Sequence, residues 1–494
     1  MLTRGGIRNR RPVRLPASDQ SRAAVTRIAY FFIGVTIRKV KIIYIYCRNL
    51  SGLPAIPVRH LNLGIPIRIK IFYTYSHRFQ NGVTEVPPLA AYHPLSEREA
   101  IGIAREVEGV FPPNARLTCR EIGDGNLNLV FHVRDETSGR GLILKQALPY
   151  AKVVGESWPL TLDRSRIESE ALIEEGRLAP GLVPKVYRYE PDLALTVMED
   201  LSDHIIMRAG LMQCRRYPLF ADHISTFLAN TLFFTSDLGM NQQEKKLKAG
   251  RFINPELCKI TEDLIFDDPY TVSPNNHYDP AIEDEAEALR TDAELHFEVA
   301  LLREKFLTQG QALLHGDLHT GSIFVREDST KVIDPEFAYY GPMGFDVGAV
   351  IANLLLNYAG QLHWSADGAS RTSYREYLLE TVKSIWTQFD RKFRAHWEEK
   401  NVDRVARETP GYRDDYMRRL LQDSIGYAGC KMVRRIVGLA HVADIDRIPD
   451  PAVREKAQRV ALRIGKALIK GGRGAESIDF VIETAREAAA ALEG

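Results

Sequence analysis

The sequence predicts an α+β protein of two lobes: a small antiparallel-sheet lobe followed by a larger, mostly helical lobe. Three observations predict it. Strand-like runs crowd into residues 117–198, helical periodicity dominates after residue 202, and two acidic motifs interrupt the helices at 314–320 and 332–337. The first motif, Leu314-His-Gly-Asp-Leu-His-Thr, puts Asp317 just after an apolar strand-like stretch. The second, Val332-Ile-Asp-Pro-Glu-Phe, ends a β-branched run with Asp334 and Glu336.

Residues 1–80 hold fifteen Lys/Arg and a single acid, Asp19, so the rest of the chain carries 50 basic and 63 acidic side chains, a formal −13. This divides the chain into a basic extension, 1–85, standing apart from the fold, a nucleotide-binding lobe at 86–198, and a lobe at 199–494 with the catalytic loop, metal site and substrate site. The extension resembles an organellar transit segment, a translated upstream stretch, or a basic arm that touches membrane or nucleic acid. Its β-branched runs at 41–46 and 65–75 are not expected to belong to the fold. Residues 86–94 read as a linker, and Ser96 caps a helix.

Strands are expected at 117–122 and 129–133 around the glycine turn 123–128, and at 141–146, where Lys145 is the only charge. A helix starts near 160, with Ile167, Ala171 and Leu172 on one face. Two more strands at 185–190 and 193–198 complete the lobe. Helices are then expected at 217–237, 282–309, 345–361, 371–399, 411–441 and 451–471.

The acidic body argues against general nucleic-acid binding, which relies on clustered cations. No run of eighteen apolar residues supports a membrane span. The five cysteines are scattered and lack any Cys-x-x-Cys pair, so they read as reduced packing thiols.

The two acidic motifs carry the chemistry. A lone carboxylate near a carboxylate pair suits phosphoryl transfer: Asp317 orients an attacking hydroxyl and takes its proton, while Asp334 and Glu336 hold Mg²⁺. At a strand end, positions i and i+2 project to the same side, and Pro335 restricts Asp334 to extended backbone. Lys145 is either an edge lysine facing water or a lysine on the α/β-phosphates of ATP held by a helical glutamate. Glu168 and Glu170 both qualify as that glutamate, with Glu168 preferred. Asn128 is placed to reach a phosphate or ribose. His315 and His319 read as structural. Arg434 and Arg435, in an otherwise apolar helix, are either a solvated edge or a substrate clamp. No Walker A sequence competes, because Gly465-Lys466 is followed by alanine.

These residues resemble those of the protein-kinase-like two-lobed fold of aminoglycoside phosphotransferases and choline kinases, and most closely the 5-methylthioribose kinases. The resemblance rests on Gly123-Asp-Gly-Asn-Leu-Asn, Trp158-Pro-Leu-Thr-Leu-Asp-Arg, Val197-Met-Glu-Asp-Leu-Ser, His315-Gly-Asp-Leu-His-Thr-Gly-Ser, Asp334-Pro-Glu-Phe-Ala-Tyr-Tyr-Gly-Pro-Met-Gly-Phe-Asp and Gly429-Cys-Lys-Met-Val-Arg-Arg-Ile-Val-Gly, across roughly 85–494. It implies ATP-dependent phosphorylation of the 1-hydroxyl of 5-methylthioribose in methionine salvage by a cytosolic homodimer. It implies that Asn128 and Lys145, with Glu168, serve the nucleotide, and that Glu199, Asp200 and Leu201 bind adenine through their backbone. Asp317 is then the base, Asp334 and Glu336 the Mg²⁺ ligands, and Arg434 and Arg435 the groups approaching the sugar or the transferring phosphate. Ser322 stands where most relatives place a metal-binding asparagine, so Glu336 supplies the missing oxygen. The alternatives are the same fold acting on an aminoglycoside, choline, fructosamine or homoserine, and a non-catalytic binding module. Cationic acceptors rank lower, because an arginine pair would repel them.

Overall fold

The computed structural model describes residues 33–37, 40–44, 92–122, 127–151 and 155–493. The chain divides into two units, Met1–Thr84 and Glu85–Gly494. In the first, strands Ile33–Ile37 and Val40–Tyr44 pair antiparallel. The rest of the basic extension lies outside the described residues, as do positions 123–126 of the glycine turn.

The second unit begins with helix Glu97–Arg105. A capping box starts it: Glu99 N donates to Ser96 Oγ (3.3 Å), and Ser96 N donates to the Glu99 carboxylate (2.9 Å). Ala100 and Ala104 of this helix bury against Phe131, Val133, Leu142, Leu144, Leu195 and Val197. Those strand residues alternate along their strands, so the intervening ones line the opposite face. The sheet runs Leu117–Glu121, Asn128–Asp135, Gly141–Ala147, Leu195–Glu199, Val186–Glu190, each strand antiparallel to its neighbours. Lys145 therefore sits on the central strand, between Val130 and Thr196. It is not an edge lysine. Helix Asp163–Leu178 contacts the Gly141–Ala147 and Leu195–Glu199 strands and brings Glu168 to Lys145.

Helices build the remainder. Gly344–Trp364, buried from Gly344 through Gln361, packs against Tyr412–Val437, Gly368–Lys400 and Pro451–Gly471. The helical stretch expected at 282–309 is two helices, Glu283–Thr291 and Ala293–Thr308. Asp292 divides them because its carboxylate caps the second, accepting from Leu295 N at 3.0 Å. The stretch expected at 411–441 stops at Val437, before Gly438. A closing helix, Asp479–Glu493, was not foreseen. No helix among the described residues is long and apolar enough to cross a membrane.

Two short sheets position the acidic motifs. Ala312–Leu314 pairs with Tyr339–Gly341, and Ile323–Arg326 pairs with Ser329–Val332 and with Ile205–Ile206. The loop from His315 to Ser322 is thus held at both ends by strands. Cys119, Cys214, Cys258 and Cys430 are free thiols.

Candidate active site

The loop carrying Asp317 is fixed from beneath by Asp346, in the first turn of helix Gly344–Trp364. His315 N donates to Asp346 Oδ2 (2.7 Å) and Gly316 N to Asp346 Oδ1 (3.1 Å). Burial raises the Asp346 carboxyl above its usual range, while those backbone donors and nearby His315 and Lys431 favour its charge. Gly316 has φ +85°, and a Cβ there would lie 2.2 Å from Phe337 O, so only glycine fits. His315 Nε2 donates to Ile333 O (2.8 Å), leaving Nδ1 to accept from Asp317 N (3.3 Å). His315 thereby ties the first acidic motif to the second.

Asp317 lies in a nest of cations. Its Oδ1 is 3.5 Å from Lys431 Nζ and 3.8 Å from Arg435 Nη2, and its Oδ2 is 3.4 Å from His319 Nε2. Burial would raise its pKa, but His319, Lys431, Arg435 and Arg434 hold the carboxylate well below its ordinary range. His319 accepts at Nδ1 from Gly321 N (3.0 Å), so its proton sits on Nε2, toward Asp317. Burial and nearby Arg435, Arg208 and Lys431 push His319 down to about 3, against the pull of Asp317, so the ring is neutral. Arg434 and Arg435 share one anchor: each donates Nη1 to Ala440 O at 3.1 Å. Arg434 Nε is buried and finds no partner among the described residues. Arg208 backs the cluster, 3.1 Å from Asp444 Oδ2. Both arginines are buried, so the solvated-edge reading fails for them.

The second group centres on Lys145. Its Nζ is 2.8 Å from Glu168 Oε1 and also contacts Asp334 Oδ1. Burial opposes its charge, but Asp334, Glu168 and Glu336 outweigh that and raise its pKa, so it stays an ammonium. Burial pushes Glu168 up to about 7, with Lys145 opposing. Glu170 faces elsewhere, pairing with Arg251 at 2.6 Å and Arg166 at 3.2 Å.

Asp334 departs from expectation. Pro335 was expected to hold it extended at a strand end, but the strand stops at Val332 and Asp334 has φ +71°. The ion pair with Lys145 overrides the local preference, at a cost of order 1–3 kcal/mol typical of strained functional backbone. Asp334 is 37% exposed at its side chain, whereas Glu336 is buried. Glu336 Oε2 receives Arg164 Nε (3.2 Å) and Asn128 Nδ2 (3.4 Å). Arg164, with a fully buried side chain, also donates to Leu148 O (2.7 Å), Thr161 O (2.9 Å) and Asn128 Oδ1 (3.1 Å). Asn128 thus faces this network from the strand that follows the glycine turn.

The donor set suits a hard divalent cation: Asp334 and Glu336 offer carboxylate oxygens, and Mg²⁺ commonly takes one or two carboxylates plus phosphate and water. Among the described residues no group of three or more His, Cys, Asp or Glu forms a complete protein cage. Ser322 is buried, with its Oγ 3.2 Å from His319 Nδ1.

At Glu199–Leu201, the hinge where the five-stranded sheet gives way to the helical part, Glu199 ends its strand, its carboxylate takes Lys185 N (3.0 Å) and Lys331 Nζ (3.2 Å), and Leu201 is buried. Asp200 Oδ2 reaches His132 Nε2 at 2.8 Å across Gly141. A cavity of about 730 Å³ opens beside this hinge among Arg134, Gly141, Lys185, Tyr187, Asp200 and Asp203. Its lining shares no residue with the Asp317 cluster. Sequence reasoning missed Arg164, His132, Arg208, Asp346 and Lys431. His132, Arg208, Asp346 and Lys431 share one signal, a charged or polar residue embedded in an apolar element, which became decisive only with tertiary partners; Arg164 lies in a charged helix and lacks it.

The phosphotransferase enzyme family profile matches residues 118–396. A methylthioribose kinase of Geobacillus sp. is 52% identical over 378 residues, covering 76% of this chain and 92% of that protein. A methylthioribose kinase of Yersinia enterocolitica is 45% identical over 399 residues, 81% of this chain and 100% of its own length. Among solved structures, an ethanolamine kinase of Plasmodium vivax is 12% identical with a TM-score of 0.38, covering 81% of this chain and 89% of that one.

Proposed function

The chain belongs to the methylthioribose kinases of the phosphotransferase enzyme family, and from that premise we propose that it transfers the γ-phosphoryl group of ATP to the 1-hydroxyl of 5-methylthioribose, in methionine salvage. The observation that carries the acceptor choice is the cation nest around Asp317, with Lys431 at 3.5 Å and Arg435 at 3.8 Å. Such a pocket disfavours the ammonium groups of choline and aminoglycosides and suits a neutral sugar beside an incoming phosphate.

In this reading Asp317 accepts a hydrogen bond from the sugar hydroxyl and takes its proton as the bond to phosphorus forms. A carboxylate kept ionised by its neighbours is ready for that task without prior deprotonation. Lys145, steadied by Glu168, neutralises the α/β-phosphates, and the backbone of Glu199, Asp200 and Leu201 receives adenine. Asn128 lies on the phosphate side. Arg434 and Arg435 offer charge to the transferring phosphoryl group; the unpartnered Arg434 Nε supports this role. Asp334 and Glu336 would hold Mg²⁺, which when bound lowers the cost of charge on the phosphates. We also assign the enzyme to the cytosol as a homodimer, with residues 1–85 outside the catalytic unit.

Incubating the purified chain with Mg-ATP and a panel of sugars and amino alcohols tests this. ADP release is expected with 5-methylthioribose; release with another acceptor and none with this one overturns the assignment. Asp317→Asn is expected to lower kcat roughly 10²–10⁴-fold while leaving nucleotide affinity in place.

A further inference from the structure

Lys431 sits in surroundings unusual for a lysine. It lies one turn before Arg434 and Arg435 in helix Tyr412–Val437, with a side chain only 5% exposed. Its Nζ is 4.0 Å from the centre of the Phe345 ring and 3.5 Å from Asp317 Oδ1. Phe345 is the neighbour of Asp346, which holds the backbone of His315 and Gly316. The ammonium is thus gripped between an aromatic face, which attracts cations, and the carboxylate proposed as the base.

We infer that Lys431 is a positioning residue for phosphoryl transfer: pinned on Phe345, its ammonium fixes the Asp317 carboxylate in the orientation that receives the acceptor proton. The inference rests on the reading of Asp317 given above and goes beyond it by naming what orients that group. Charged and titratable groups face Lys431 from every side: Asp317 and His319 from the loop, Asp346 from helix Gly344–Trp364, Arg434 and Arg435 from its own helix. Arg208 stands behind them, facing His319 and the two arginines. Burial, with Arg434 and Arg435, pushes the ammonium down to about 8 against Asp317 and Asp346. Once it loses its proton, Asp317 is left with the neutral His319 ring at 3.4 Å on its other oxygen and, as its nearest cation, Arg435 at 3.8 Å, a guanidinium already anchored on Ala440 O.

The test is steady-state kinetics of the full chain between about pH 6 and 10, comparing wild type, Lys431→Met and Lys431→Arg. Wild-type kcat is expected to fall along an alkaline limb centred near the lysine's value of about 8. Lys431→Arg keeps its charge throughout, so the limb should disappear with kcat within about tenfold of wild type. Lys431→Met should lower kcat roughly 10²-fold on the acid side of the limb and stay flat with pH, so that wild type falls toward it above the lysine's value of about 8, with no change in KM for ATP. Wild-type kcat in Lys431→Met, or an alkaline limb that persists in either variant, overturns the inference. A merely structural lysine would give the second result. The two readings fail differently: an inactive wild type counts against the acceptor assignment, whereas an active wild type with an unmoved limb counts against Lys431.

Discussion

Arg164 Nε lies 3.2 Å from Glu336 Oε2, joining the first turn of the helix that covers the sheet to the second acidic motif. The guanidinium reaches four residues besides Glu336, using its planar fork to bridge Leu127 O, Leu148 O, Thr161 O and Asn128 Oδ1. A lysine cannot reproduce that set of donors. Arg164→Met strips buried Glu336 of its hydrogen-bonded cation, with Lys145 the remaining cation acting on it, and should cost about 3–5 kcal/mol. Urea unfolding measures this, and a loss below about 1 kcal/mol would remove Arg164 from the role of organiser.

Much of this site was legible beforehand for a simple reason. Lys145 is a lone charge in an apolar strand, and Asp317, Asp334 and Glu336 follow apolar runs, so local pattern alone marks them as expensive to keep. Arg164 was not legible because its helix also carries Arg166 and Arg177, which are exposed or half-buried and pair within one turn. Sequence spacing does not distinguish a buried fork from a solvated one. The backbone of Asp334 was misread because the proline rule is local, whereas the Lys145 ion pair spans 189 residues. Lys431 was passed over beside the more conspicuous arginine pair, and its role depends on Phe345 and Asp317, both distant in sequence.

His319 gives a stability signature in acid. Its folded pKa of about 3 lies below the ordinary 6.5, so folding favours the neutral ring. Its contribution is complete above the unfolded value and is lost as pH falls from 6.5 toward 3, because the unfolded chain binds the proton first. Between pH 7 and 5 this residue alone should cost about 2 kcal/mol. Denaturant midpoints at the two pH values should converge in His319→Gln; an unchanged pH slope would contradict a neutral folded ring.

Gly141 lets the hinge close on the sheet. A Cβ there would fall 2.0 Å from Asp200 Oδ2 and 3.0 Å from His132 Nε2, so an alanine must break the contact between them. That contact ties Asp200 to the strand opposite Ile143. Gly141→Ala is therefore expected to weaken ADP binding roughly tenfold by calorimetry. Gly250→Ala, whose Cβ meets nothing within 4 Å, serves as the control. Equal affinity in both variants would show that the His132–Asp200 contact does not position the hinge.

Asp346 should separate catalysis from nucleotide binding. It touches neither the hinge nor Lys145; its two oxygens each accept one backbone N–H, from His315 and Gly316, immediately before Asp317. In Asp346→Asn one of those acceptors becomes an N–H₂ donor facing another donor, so one loop N–H loses its partner. A hydrogen bond to a charged group contributes about 1.5–3 kcal/mol, and the variant should lose stability in that range. The loop then relaxes by a fraction of an ångström around Asp317, and a displacement approaching 1 Å near the reacting atoms lowers kcat by about 10²-fold. KM for ATP should hold, since the Lys145–Glu168 pair is untouched. A variant that loses ATP affinity as strongly as kcat would mean that Asp346 supports the whole cleft and not the Asp317 loop alone.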